Sequence, residues 1–416
     1  MFALQDGNAF YVSCERVFNP KLRGVPVIVA SNNDGCAIAR SDEAKALGVR
    51  MGHPLHELKG LIRERGLQVR SANFALYGDI SQRIAQILRA EVPRLEEYSI
   101  DENFYDVGGI RDRVVFGRRM RDKILRWTGI PSCVGIGPTK TLAKVGNKIA
   151  KGGAGVIDLA DPRVRARHLE VFPVEDVWGV GPRWAAKLSE MGIHTAAHLR
   201  DAPTELILKH FGVVLTRTQR ELQGHSCLEL TEVEPDRKQI VVSRSFGERV
   251  SDHEAVYQAL ATFCERAAAK MRKRGLIAAG VGFFAYSDPF RPELPQHSAS
   301  RSVSLPNATA DSRLLVAMVN RLARGRLKQR IGYKKAGVVL LDLARPEHLQ
   351  GDLFAAPIVG NPALMSAMDA INAKFGRGAA GLGATGWVKK PEWRMRQHNL
   401  SPAYTTRLTD LPLAHC

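Results

Sequence analysis

The sequence is short of cysteine, of acidic residues relative to basic ones, and of long apolar runs, and each shortage removes a class of function. Six cysteines (Cys14, Cys36, Cys133, Cys227, Cys264 and Cys416) are scattered over 416 residues without any C-x-x-C spacing. This pattern supplies neither a zinc site nor a disulfide framework, and it fits a reducing compartment. No apolar stretch approaches the roughly 20 residues needed to span a bilayer, and "MFALQDGNAF" lacks a basic region followed by an apolar run. A soluble, cytoplasmic protein with no membrane partner is expected. There is no solenoid-type repeat. "GIGPTKT" falls short of a P-loop because Thr139 stands where the second glycine is required, which excludes a Walker-type ATPase.

What is present in excess is positive charge. Sixty Lys and Arg against 42 Asp and Glu leave a formal charge of +18, a surface that favours a polyanion, foremost a nucleic acid. The excess is uneven: Glu265 to Lys335 holds fifteen basic and four acidic residues. A separate basic module of this kind suits a clasp on DNA.

Organisation follows from periodicity. The first 160 or so residues alternate strand-like runs ("MFALQD", "VPVIVAS", "NFYDV", "CVGIG") with helical ones ("YGDISQRIAQILRAEV", "TKTLAKVGNKIAK"), the pattern of a mixed α/β or α+β domain. From Pro162 to Gln223 the pattern is wholly helical in short pieces punctuated by Gly and Pro. After the polar connector "EVEPDRKQ" come further strands and two long helices, ending near Leu343. The remainder has little periodicity, and "GRGAAGLGATGW" reads as flexible.

Against this background "YSIDENFYDVGG" stands out, because Asp101 and Glu102 interrupt a run that otherwise reads as a buried strand. Neighbouring strand residues point to opposite faces, so the two can converge only at a strand end, bulge or tight hairpin. Asp6, closing "MFALQD", is a third acid that a neighbouring strand could bring beside Asp101. All-oxygen donors without His or Cys suit a hard cation, with Mg²⁺ foremost where phosphates are handled. Two such ions could serve an in-line phosphoryl displacement. In "VWGVGPRWAAKLSEMGI", Gly179 and Gly181 bracket a tight turn, Pro182 suits a first helical position and Gly192 a helix end. That is the outline of a helix-hairpin-helix element, whose backbone amides can hold a DNA phosphate without reading sequence.

The segments "NAFYVSCE", "SNNDGCAIARSDEAKALGV", "YSIDENFYDV", "CVGIGPTKTLAKVGNKIAK" and "VWGVGPRWAAKLSEMGI", in this order, closely resemble the Y-family translesion DNA polymerases, over nearly the whole chain. The resemblance implies an α+β multidomain right hand: palm and fingers over 1–161 (fingers about 12–74), a helical thumb over 162–230, an α/β little finger over 239–343 and a C-terminal tail over 344–416. It implies that Asp6, Asp101 and Glu102, with the Gly7 carbonyl, bind two Mg²⁺ ions. Tyr11 matches the steric gate against a ribose 2′-hydroxyl. Lys45, Lys151 and Arg40 match triphosphate contacts, although Asp42 stands where many relatives carry Tyr. Arg244 and Arg249 become phosphate contacts of the little finger, together with the Gly179–Gly181 turn of the thumb.

"QGDLF" fits a sliding-clamp peptide, with Gln350, Leu353 and Phe354 as its anchors. The expected partners are primer-template DNA, dNTP, the sliding clamp, a processed UmuD dimer and a RecA filament, and the expected role is error-prone synthesis past damage in the SOS response. Two other readings stay open on the residues: a catalytically silent adaptor between DNA, clamp and partner proteins, which the three acids disfavour, and a helix-hairpin-helix nuclease or glycosylase, which would leave the N-terminal motifs unexplained.

Overall fold

The structure, a computed structural model, describes residues 1–232, 236–348, 360–386 and 391–411. The chain divides into two compact units, one built from residues 1–31, 35–234 and 399–416, the other from 32–34 and 235–398.

In the first unit β1 (Phe2–Gly7) leads into α1 (Phe10–Phe18), followed by β2 (Val27–Ala30), β3 (Ala37–Arg40), α2 (Asp42–Ala46), α3 (Lys59–Glu64), β4 (Gln68–Ser71) and α4 (Phe74–Arg89). The hairpin β5 (Leu95–Glu97) and β6 (Glu102–Asp106) comes next, then α5 (Arg113–Thr128), β7 (Ser132–Gly137), α6 (Lys140–Lys151) and β8 (Val156–Asp158). Four helices close the run: α7 (Pro162–Val171), α8 (Pro182–Glu190), α9 (Ala196–Asp201) and α10 (Thr204–Leu222). The strands form a five-stranded sheet of order β5-β6-β1-β7-β8 and a three-stranded sheet of order β3-β2-β4.

Central β1 is covered on both faces, which is why its run shows no polar alternation. Leu4 and Phe104, directly opposed across β1 and β6, pack with Ala143 of α6. Ala3 and Tyr105, the neighbouring opposed pair, join the core beneath α1, α4 and α5 on the other face. One face therefore belongs to α6, and Asp6 and Glu102 continue it.

The helical run folds as expected from its Gly and Pro. Gly181 caps α8, Pro182 is its first residue, and Gly179 and Gly192 take left-handed backbone angles of φ 91° and 76°. The preceding arm differs from the outline read in the sequence: it is a single 3₁₀ turn over Val174–Asp176. Glu221, fully buried on α10, ties these helices to α6 by accepting from the backbone N–H and hydroxyl of Thr141, at 2.9 and 2.7 Å.

The second unit contains β9 (Ile240–Val250), α11 (His253–Arg272), β10 (Ile277–Ser287), β11 (Ser298–Thr309), α12 (Ser312–Ala323) and β12 (Tyr333–Ala344). Its antiparallel sheet has the order β11-β10-β12-β9. Phe246, Phe263, Phe283 and Tyr333 fill the core between sheet and helices.

The tail departs from the flexible segment expected of it. A further helix, α13 (Pro362–Phe375), docks on this unit through a two-pronged ion pair in which Arg272 Nε and Nη2 each lie 2.7 Å from an Asp369 oxygen. The glycine-rich piece that follows turns at Gly376, Gly378 and Gly386, where φ is 95°, 88° and 79°. There it donates the Leu382 N–H to Glu265. Glycine here supplies tight turns that lie against a helix, a role composition alone reads as looseness. Trp393 adds an edge-on contact with Phe263, at 5.5 Å between ring centres. Gln350, Leu353 and Phe354 lie outside the described residues.

Candidate active site

Asp6 and Glu102 are direct cross-strand partners in the β1–β6 ladder. Opposed residues of an antiparallel pair share a face, and like charges placed there repel. The chain accommodates Asp101 next to Glu102 by ending the strand: Tyr98 and Ser99 both donate their N–H to the Glu102 carbonyl, each at 3.1 Å, closing the β5–β6 hairpin with Asp101 in the turn. Asp101 in turn accepts the Gly7 N–H on its carbonyl at 3.0 Å and the Ser99 hydroxyl on its carboxylate at 2.7 Å. The strand-end geometry expected from the sequence is the one observed.

Helix α6 supplies the counter-charge. Lys151 Nζ lies 2.7 Å from Asp6 Oδ2, and Lys144 Nζ lies 2.8 Å from Glu102 Oε1. Seven residues are close to two helical turns, so the two ammonium groups stand on one stripe of α6. Lys140 continues the stripe and pairs with buried Glu96. Lys144 is also held over the rings of Tyr98 (4.5 Å), Trp178 (5.0 Å) and Phe104 (6.0 Å), an aromatic box that suits a cation. Burial pushes the Asp6 carboxyl up to about 6; Lys151 opposes that rise, and the charges of Asp101 and Glu102 add to it.

Such reach depends on how closely α6 lies on β7. A side chain at Gly135 would meet the Asn147 nitrogen at 2.0 Å and the Ala143 carbonyl at 2.1 Å, and one at Gly137 would meet Leu142 at 2.8 Å. Asn147 spans the seam by donating to the carbonyls of Leu4 and Cys133, at 3.3 and 2.9 Å.

Tyr11 is the second residue of α1, just beyond Ala9, whose backbone takes a left-handed φ of 43°. Its ring stacks on Tyr77 (4.6 Å, 16° between planes) and meets Phe74 edge-on (5.8 Å, 88°). Burial raises the phenol's pKa, and the negative charge of Asp101 raises it further.

The remaining candidates are placed elsewhere. Lys45 holds Asp42, three residues back, at 2.7 Å, and Arg40 donates to the Val49 carbonyl at 2.8 Å. Neither has a described contact with the acids. Arg244 lies on β9 in a crowd of cations: Arg266 and Lys270 have lowered pKa values, from burial first and then from the charges of Arg244 and Arg377. Arg249 lines a hollow with Asp288 and Arg330. Lys144, Trp178 and Glu96 escaped sequence reasoning; the four-residue spacing of Lys140, Lys144 and Lys148 was the available signal, indistinguishable there from a solvated face.

All-oxygen donors on one strand pair, with ammonium groups already lying against two of them, fit a hard divalent cation. Among the described residues no three such acids are drawn into a closed cluster; lysines lie against Asp6 and Glu102, and the Ser99 hydroxyl against Asp101.

Comparison with known proteins gives a consistent family. The impB/mucB/samB family matches residues 5–148, its C-terminal domain matches 237–353, and a domain of unknown function matches 362–414. Protein ImpB of Salmonella typhimurium is 43% identical, spanning 100% of this chain and 99% of its own. Protein UmuC of the same species is 44% identical over 99% of each. DNA polymerase IV of Moorella thermoacetica is 31% identical over 84% of this chain and 88% of its own. Among solved structures, a Y-family DNA polymerase chimera of Dbh and Dpo4 superposes with a TM-score of 0.65 at 21% identity, covering 83% of this chain and 100% of that one. DinB from Sulfolobus solfataricus does so with a TM-score of 0.53 at 21% identity and the same coverage. These two establish likeness of fold.

Proposed function

The chain belongs to the impB/mucB/samB family of Y-family DNA polymerases, and from that premise we propose that it extends a primer across damaged template by adding dNTPs to the 3′-hydroxyl. The observation that carries this reading is the cross-strand pair Asp6 and Glu102 beside Asp101, each of the two opposed acids held by its own lysine.

Asp6, Asp101 and Glu102, with the Gly7 carbonyl, are the donors that would hold two Mg²⁺ ions. When bound, such ions supply Lewis-acid stabilisation of the charge that develops on the attacking and leaving oxygens. Lys151, half-exposed beside Asp6, is placed to turn from the carboxylate to an incoming triphosphate, and Lys45 and Arg40 add further cations for the same anion. The chain's own contribution is positioning and charge compensation rather than a covalent step. Tyr11 is the gate against a ribose 2′-hydroxyl. The Gly179–Gly181 turn, Arg244 and Arg249 grip the DNA backbone, the charge excess providing a sequence-independent affinity.

The finer role proposed is error-prone synthesis in the SOS response, in the cytoplasm at the nucleoid, with a sliding clamp, a processed UmuD dimer and a RecA filament as partners. No described helix is long and apolar enough to cross a membrane.

Primer extension opposite an abasic site, with Mg²⁺, dNTPs, clamp and the processed UmuD-type partner, tests the reading. Extension by wild type and none by Asp101→Ala supports it. No extension by either, with primer-template binding intact, makes the protein an adaptor; equal extension by both removes Asp101 from the metal site.

A further inference from the structure

The C-terminal residues 399–404 lie within the match to a domain of unknown function and contact the elements that hold Tyr11. Ser71 and Asn399 exchange hydrogen bonds, Ser71 N–H to the Asn399 carbonyl at 2.9 Å and Asn399 N–H to the Ser71 hydroxyl at 3.0 Å, and Leu400 forms a parallel bridge with Ser71. Beyond that edge, the Ser401 hydroxyl donates to Glu15 Oε1 at 3.0 Å, and the Tyr77 hydroxyl donates to the same oxygen at 2.8 Å. Tyr404 stacks on Phe18, with 4.9 Å between ring centres and 6° between planes.

Tyr11, Glu15 and Phe18 are spaced four and three residues apart on α1 and so form one stripe of the helix. The tail covers the last two, and Tyr11 extends from the first. On the other side of the ring, Asn73 caps α4 with its oxygen, accepting from Leu76 N–H. With its nitrogen it donates to the Ser401 hydroxyl at 3.0 Å and the Pro402 carbonyl at 3.2 Å. The two helices between which the Tyr11 ring lies are thus joined by one strap.

Glu15 makes the junction specific. It is a nearly fully buried carboxyl, 1% exposed, and its described donors are hydroxyls, one from α4 and one from the tail. Burying such a group is tolerable only while those donors remain. Losing Ser401 would leave Tyr77 as the single described donor, and Tyr77 is the ring on which Tyr11 stacks.

We propose that residues 399–404 act as a brace for the steric gate, with Ser401 and Asn73 as positioning residues that fix the Tyr11 ring through Glu15 and Tyr77 and thereby set sugar discrimination. This rests on the reading of the chain as a polymerase gated by Tyr11. A ring held by packing on one side only has more room to yield, and small displacements of such a group carry large kinetic effects.

The test measures kcat/KM for a dNTP and for the matching rNTP in the full-length protein with its partners, for wild type, Tyr11→Ala, Ser401→Ala, Asn73→Asp (which keeps the capping oxygen) and the double variant Tyr11→Ala with Ser401→Ala. The expected result is a loss of dNTP-over-rNTP preference on the order of tenfold in Ser401→Ala and Asn73→Asp, restored by Ser401→Thr. In the Tyr11→Ala background Ser401→Ala should add nothing, as required of a residue that acts through the gate. Thermal unfolding of each variant identifies any that fail to fold, and Asn73→Asp and Ser401→Ala then test the brace independently of each other. Unchanged preference in folded variants, or a Ser401 effect that persists without the Tyr11 ring, overturns the proposal. Absence of extension by wild type, or unaltered preference in Tyr11→Ala, overturns instead the polymerase or gate reading beneath it.

Discussion

Asp6 and Glu102 face each other across two antiparallel strands, and each is answered by a lysine from the same helix, Lys151 for one and Lys144 for the other. Two like charges in direct opposition would weaken a ladder. Their place at the end of a central strand, with compensating cations provided by α6, is the ground on which the pair is proposed as part of the metal site.

Replacing Asp101 with Ala removes one carboxylate but leaves the backbone carbonyl that receives the Gly7 N–H. Primer extension should fall at least about a hundredfold, since several kcal/mol of charge stabilisation is at stake. Primer-template affinity, read by fluorescence anisotropy, should remain.

Divalent cations should compete with Lys144 for Glu102. Because Lys144 sits 5.0 Å over the Trp178 ring, Mg²⁺ titration should change tryptophan emission saturably, with reversal by chelator. The same titration of Trp178→Phe should be flat; a persistent signal would assign the change to another tryptophan.

Gly135→Ala places a carbon 2.0 Å from a backbone nitrogen of α6. No side-chain rearrangement relieves a clash with backbone, so the loss of stability should reach about 3 kcal/mol or more. A shifted urea midpoint, or loss of soluble protein, would report it, and Gly153→Ala, with open space around its position, is the matched control.

In the second unit Asp311 caps α12 and accepts from the N–H groups of Arg313 and Asn361, each at 2.9 Å, as well as from the Arg313 side chain. Burial by itself would raise its carboxyl, and together these donors overcome that and hold it down at about 2, against 3.8 for an ordinary aspartate. A depressed folded value stabilises above the unfolded pKa and is lost on acidification, so this contribution should be intact above pH 4 and fade between about 4 and 2. Asp311→Ala should cost about 1 to 2 kcal/mol at neutral pH and flatten that acid-side slope in unfolding experiments.

Much of this was legible in the chain because the candidate residues broke local rules. Asp101 and Glu102 interrupt an apolar strand, and the structure resolves the conflict with a hairpin turn, the solution strand geometry demands. Gly179, Pro182 and Gly192 declared the turn and helix they build because each has a narrow set of backbone roles. Lys144 obeyed every rule of an exposed helix face, so nothing local betrayed its box of three rings. Asn73 and Ser401 meet across 328 residues, and no periodicity encodes such a pairing. The glycines between 376 and 386 misled because composition reports freedom in the unfolded chain, whereas the folded chain uses that freedom to lie tightly against α11.

The place of the strap in the order of synthesis has its own consequence. The strands of the five-stranded sheet are complete once residue 158 has been made, whereas Ser401 follows 243 residues later. At common elongation rates of about 5 to 20 residues per second, that interval is on the order of ten to fifty seconds. A nascent chain can therefore assemble its acids with the back of α1 uncovered, and only one translated past Tyr404 carries both.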